Sequence, residues 1–197
     1  LEPDTVMYGA SLTKAAFSTF VMQLVGEGKL DLDRPIAAIL PKPLPDYPAY
    51  ADLKNDARWK KLTLRMLLDH TSGFSNFRAF DGGKLVFRCD PGARYGYSGE
   101  GIRLAQFVIE QGLGLDMAAE MNRRIFAALG MTRTSLTWRD DFAANLSDSY
   151  AEDGRHIPHD RREHVSAACS MDTTLADYSK FLAAVSRGDG LTPAARA

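Results

Sequence analysis

The stretch from Leu12 to Val25 restricts the fold more than any other part of the chain. In it Leu12, Ala15, Ala16, Phe20, Val21, Leu24 and Val25 recur at steps of three and four. That is the period of an α-helix, and a stripe this broad predicts a helix with one wide side in a core. Gly26 and Gly28 supply its stop. Such a helix needs others to pack against, and helical spacing returns from Ile102 to Gln111, from Met117 to Leu129 and from Leu175 to Val185. In the last of these Leu175, Tyr178, Leu182 and Val185 share one stripe, expected to face inward.

Shorter elements fill the intervals. A helix is expected from about Thr63 to Asp69, ending at His70-Thr71-Ser72-Gly73, with Gly73 suited to a left-handed cap. Pro35 opens a short helix through Ile36 to Leu40, and Pro41, Pro43, Pro45 and Pro48 predict an extended loop over the surface beyond it. Tyr150 to Val165 reads as a hairpin turning at Asp153-Gly154. A mainly helical chain of 197 residues, 45% hydrophobic, can bury a core without metal or disulfide staples, so one domain, or one domain with a lobe, is expected.

Charge narrows the partners. Lysine and arginine total 24 against 25 acidic residues, for a net charge of −1, which argues against nucleic acid or an anionic membrane surface. The longest apolar run, Ala15 to Val25, contains Ser18, Thr19 and Gln23 and lies between Lys14 and Glu27, too short and too polar for a membrane span. Cys89 and Cys169 match no metal or redox spacing and read as free, partly buried thiols.

The chemistry centres on Ser11-Leu12-Thr13-Lys14, which fits S-x-x-K. Residues three apart on a helix share a face, so the lysine amine can reach the serine hydroxyl and take its proton. Backbone N–H groups at a helix start can steady an oxyanion. About one such match arises by chance in a chain of this size, so the weight falls on its company. That company is Leu24 to Pro35 (LVGEGKLDLDRP), Leu67 to Phe74 (LLDHTSGF), Pro91 to Ser98 (PGARYGYS), Arg124-Ile125-Phe126, Leu129 to Thr134 (LGMTRT) and Ser170 to Asp177 (SMDTTLAD). In this order they closely resemble the signatures of the serine β-lactamase and penicillin-binding-protein superfamily, and best its class C-like branch of β-lactamases, D-alanyl-D-alanine carboxypeptidases and related carboxylesterases.

The resemblance implies an α+β, β-lactamase/transpeptidase-like fold, a helical lobe against an antiparallel sheet. Residues 1–197 would be a single such domain, incomplete at both ends. It implies Ser11 as nucleophile, Lys14 as the group that takes or shares its proton, and Tyr97 as the tyrosine that returns a proton to the leaving group, with no metal and no organic cofactor. Two departures stand out. Where the family writes Y-x-N this chain has Tyr97-Ser98-Gly99, followed by Glu100, a possible substrate contact in place of the missing amide. The third motif, K-T-G or H-x-G on a strand, is absent and expected beyond Ala197, with the first strands expected before Leu1.

With Gly99 in place of asparagine and a short interval from Gly73 to Tyr97, small esters are the expected substrates. A β-lactam or a D-alanyl-D-alanine peptide is the alternative, and a penicillin-binding-like sensor that does not turn over is the reading from another class. His70 is expected to close a helix and pack. His156, His159 and His164, with Asp160 and Glu163, read as a solvated hairpin rather than a metal site, because Pro158 breaks the helix that ligand spacing would need. The compartment stays open between the periplasm or exterior and the cytoplasm of a bacterium, and an opening on Leu1 rather than methionine fits a leader removed beforehand.

Overall fold

The computed structural model describes residues Leu1 to Arg196. In chain order its regular elements are β1 (Met7–Tyr8), α1 (Thr13–Gly26), α2 (Leu64–Leu68), α3 (Gly99–Leu113), α4 (Met117–Met121), β2 (Ser149–Tyr150), β3 (His156–Ile157), β4 (Asp172–Thr173), α5 (Leu175–Arg187) and α6 (Pro193–Arg196). Short 3-10 turns link them. The chain divides into two compact units, Leu1–Gly26 with the described residues from Ala118 onward, and Glu27–Met117. Among the described residues, no helix is long and apolar enough to cross a membrane.

In the first unit α1 buries Ala16, Phe17, Phe20, Val21 and Leu24, together with the polar Thr13 and Lys14. The inward face is therefore rotated from the one expected: Leu12 is 46% exposed, and the two polar residues take its place because each finds buried hydrogen-bond partners. β1 pairs antiparallel with β4, Met7 opposite Thr173 and Tyr8 opposite Asp172. Ser135 bridges to Asp172 on the other side. β2 and β3 form the predicted hairpin.

Two helices depart from expectation. The Met117–Leu129 segment does not run as one α-helix: α4 gives way to a π turn over Asn122–Phe126, with Ala127 N–H reaching back to the Asn122 carbonyl. In α5 the predicted stripe faces outward, with Leu175 60%, Leu182 51% and Val185 41% exposed, while Asp177, Phe181 and Ala184 are buried. Asp177 sets this rotation. Its carboxylate accepts from the Arg133 N–H at 2.7 Å, the Thr134 hydroxyl and the Lys180 amine, and these bonds draw its side of the helix in.

The second unit packs α2 against α3. Thr63 caps α2 by accepting from Met66 N–H, and Ser98 caps α3 by accepting from Gly101 N–H at 2.8 Å. The proline-rich interval is not the extended surface loop its composition suggests. It winds into 3-10 turns at Leu44–Asp46 and Pro48–Leu53, followed by Ala57–Lys61, and buries Leu44, Tyr50, Leu53 and Trp59. Proline in the first turn of each of the first two loses no hydrogen bond there and presets φ, which is why these prolines start turns instead of preventing them.

The left-handed residue that ends α2 is His70, with φ 64, not Gly73. Thr71 N–H closes the cap onto the Met66 carbonyl at 3.0 Å. Gly73 is left-handed too, with φ 85, and a Cβ there would collide with the Cys89 carbonyl oxygen. Substituting Gly73→Ala should therefore destabilise the fold by about 2 kcal/mol or more, seen as a melting midpoint lower by roughly 4–8 °C. An unchanged midpoint in thermal denaturation would refute this account of the turn.

Candidate active site

Ser11 stands in the 3-10 turn Ala10–Leu12 that leads into α1. Two features of the backbone fix that turn. Gly9 donates its N–H to the Met171 carbonyl at 2.8 Å, an approach so close that a Cβ at residue 9 would lie 2.9 Å from the same oxygen. Ala10 takes the left-handed conformation at φ 44, unusual for a residue with a side chain. Ser11 itself is exposed.

Lys14, one helical turn on, is 9% exposed and donates to Ser11 Oγ at 3.0 Å and to the Ala168 carbonyl at 2.7 Å. The shared helix face accounts for the first bond, as the spacing predicts. The second comes from a tight turn in which Cys169 and Ser170 N–H groups bond the Ser166 carbonyl at 3.1 and 3.0 Å. Ala168 gave no signal in the sequence, because a main-chain carbonyl can be supplied by any residue. An amine bonded to the hydroxyl three residues away is the arrangement needed to move a proton off that oxygen.

Tyr8 lies three positions before Ser11. Burial, and then Cys169 beside it, push its phenol up to about 12, so it keeps its proton at neutral pH.

Tyr97 belongs to the second unit, on the segment entering α3. It is 39% exposed, and its ring lies 4.5 Å from the His70 ring, centroid to centroid. His70 holds this segment in three ways. Its carbonyl accepts from Gly96 N–H at 2.8 Å, its Nδ1 accepts from Ser98 N–H at 3.1 Å, and its ring faces the phenol. Further support comes from Ser98 Oγ, which donates to the Ser75 carbonyl, and from Asn76 Oδ1, which accepts from Gly99 N–H at 2.9 Å. A cleft of about 240 Å³ opens beside Tyr97, lined by Phe74, Asn76, Phe80, Arg94 and Tyr95 among others. The expected packing role of His70 is thus joined by one the sequence did not reveal, that of fixing the Tyr97 backbone.

Glu100, expected as a substrate contact, is buried and paired within its own unit. Its side chain is 1% exposed, and its oxygens accept from the Arg78 backbone N–H at 3.1 Å, from the Arg78 guanidinium at 2.8 and 3.2 Å and from Arg103 at 3.3 Å. Burial raises its pKa, but the bonds and charge of Arg78 outweigh that, and the net result lies below the usual carboxylate value. It anchors the Arg78 turn to α3. The hairpin histidines His156 and His159 pair separately, with Asp148 at 3.1 Å and with Asp172 at 3.1 Å. Cys89 and Cys169 are both part-buried and form no disulfide.

A family model described as Beta-lactamase matches residues 1–197. The chain is similar to a lovastatin esterase of Penicillium rubens, 29% identical over 175 residues covering 74% of this chain and 43% of that protein. It is also similar to a monacolin J acid methylbutanoyltransferase of Aspergillus terreus, 29% identical over 176 residues covering 75% of this chain and 42% of that one. Among solved structures it resembles the D-amino acid amidase of Ochrobactrum anthropi, with TM-score 0.77 and 25% identity, covering 100% of this chain and 61% of that one. The chain thus spans less than half the length of these curated relatives.

The ion pair on Glu100 has a measurable consequence. Arg78→Ala leaves a buried carboxylate whose remaining cation among the described residues is Arg103, and should lower stability by about 3 kcal/mol at pH 7 in denaturant titration. Because the folded carboxyl titrates below its unfolded value, the stabilisation is complete above the unfolded value and is lost as pH falls through the lower, folded one. The gap between the two proteins should therefore narrow as the pH falls below the ordinary carboxylate range. A gap that widens on acidification would overturn the assignment.

Proposed function

The chain belongs to the Beta-lactamase family, and from that premise we propose that it forms the core of a serine hydrolase working through an acyl-enzyme on Ser11. The observation that carries this reading is the Lys14 amine, buried and bonded at once to Ser11 Oγ and the Ala168 carbonyl, at 3.0 and 2.7 Å. In the first step Lys14 Nζ takes the hydroxyl proton while Ser11 Oγ bonds to the substrate carbonyl carbon and the π electrons move onto the carbonyl oxygen. The tetrahedral intermediate then reforms its carbonyl and expels the leaving-group oxygen. Tyr97 is the residue assigned to pass the proton held by Lys14 on to that oxygen, giving its own and regaining one from the amine, so that both groups end as they began. Water adds to the acyl-serine by the same sequence, releasing the acid and restoring the hydroxyl. No metal or organic cofactor enters this proposed sequence.

Small esters are the proposed substrates. Support comes from the esterase and the acyltransferase among the relatives and from Gly99, which stands where the family's amide would meet a penicillin-like side chain. Cleavage of an amide, in a peptide or a β-lactam, is the second reading, favoured by the likeness to a D-amino acid amidase.

The test is an intact-mass measurement after treatment with a fluorophosphonate and with a fluorescent penicillin. One fluorophosphonate adduct should form, and Ser11→Ala should abolish it. Lys14→Ala and Tyr97→Phe should each slow acylation by about 10²–10⁴-fold with folding retained. A near-normal rate in either variant removes that residue from the mechanism. Turnover of a nitrophenyl ester should exceed that of a chromogenic cephalosporin, and the reverse order would make the second reading the correct one.

A further inference from the structure

Both polar groups of the Met171 peptide are bound by the segment that carries Ser11. Its carbonyl accepts from Gly9 N–H at 2.8 Å, and its N–H donates to Thr13 Oγ1 at 3.0 Å. The same Thr13 hydroxyl donates its proton to the Ala10 carbonyl. Thr13 is wholly buried, with no exposed surface. One hydroxyl therefore joins the left-handed residue just before Ser11 to a peptide three residues beyond Ala168, whose carbonyl holds Lys14 Nζ at 2.7 Å.

We propose that Thr13 is a positioning residue: its hydroxyl fixes Ser11 Oγ and the Ala168 carbonyl in register around the Lys14 amine. The proposal rests on the reading of Ser11 as nucleophile and Lys14 as base. Thr13 touches neither the substrate nor the transferred proton. It acts through main-chain groups, as acceptor from one and donor to another. A left-handed non-glycine residue persists only where its surroundings over-determine it, and the Thr13–Ala10 bond is one of the constraints holding φ at 44. Removing the hydroxyl leaves the Met171 N–H and the Ala10 carbonyl without this partner in a buried site, so both backbones are free to relax apart. A shift of about 1 Å between reacting groups is worth on the order of 100-fold in rate.

Thr13→Val keeps the shape and removes the hydroxyl. In the whole protein it should lower kcat for a nitrophenyl ester, and the rate of fluorophosphonate labelling, by about 10–100-fold, with KM changed less than about threefold. Thr13→Ser, which restores the hydroxyl, should return both rates to within about threefold of wild type. The Met171 amide should lose hydrogen-exchange protection in the valine variant and regain it in the serine one. Circular dichroism and the melting midpoint establish that the variants are folded, and Thr13→Ala, expected to behave as the valine does, replaces it if the valine protein is not.

Equal labelling rates in wild type and the folded valine variant would overturn the inference while leaving Ser11 as nucleophile. A rate loss that serine does not rescue would equally overturn it, by assigning the effect to packing. A wild-type protein inert to fluorophosphonate would remove the nucleophile itself, and this inference with it.

Discussion

A buried lysine amine sets the terms for the first unit. Moving an ammonium or amine out of water is costly unless its hydrogen bonds are replaced, and Lys14 has them replaced by the Ser11 hydroxyl and the Ala168 carbonyl. Each partner in turn demands structure. The hydroxyl must sit one helical turn away, so the serine belongs in the 3-10 turn that leads into α1. The carbonyl must come from a different stretch of chain, so the turn at Ser166 to Ser170 and the β1–β4 pairing have to bring residues near 170 up against residues near 9. What looks like a small irregular sheet is the device that fixes that approach.

The sequence was legible where periodicity and side-chain chemistry are the same thing. The helices after Thr63, Ile102 and Leu175, the hairpin around Asp153-Gly154, and the Ser11–Lys14 bond follow from spacing alone. It was misleading where a polar group prevailed over an apolar one. Apolar spacing put Leu12 inward, but Thr13 and Lys14 occupy that side because their hydrogen bonds lie there. The same holds in α5, where Asp177 gathers three donors and turns Leu175, Leu182 and Val185 to the exterior. Periodicity counts carbon; it does not see a carboxylate that is fully paired.

Glu100 and Ala168 mark two kinds of contact that local reading does not reach. Glu100 drew attention because it is charged and follows Tyr97, yet its neighbour in space is Arg78, 22 positions earlier, and nothing local announces that pairing. Ala168 drew none because its contribution is a main-chain oxygen. His70 falls between the two. Its place in the chain pointed to packing, but its Nδ1 also accepts the Ser98 N–H, 28 positions further on, and a bond to a backbone group that distant leaves no local pattern.

The close approach of Gly9 to Met171 bears on how tolerance to change should be interpreted in this protein. Residue 9 meets a carbonyl oxygen across a gap that admits only hydrogen. A saturation library at that codon would therefore return glycine almost alone, and intolerance of that kind is easily mistaken for contact with the ligand. Here it reports something else: the spacing between two pieces of main chain, on which the Ser11–Lys14–Ala168 arrangement depends without ever meeting the residue that sets it.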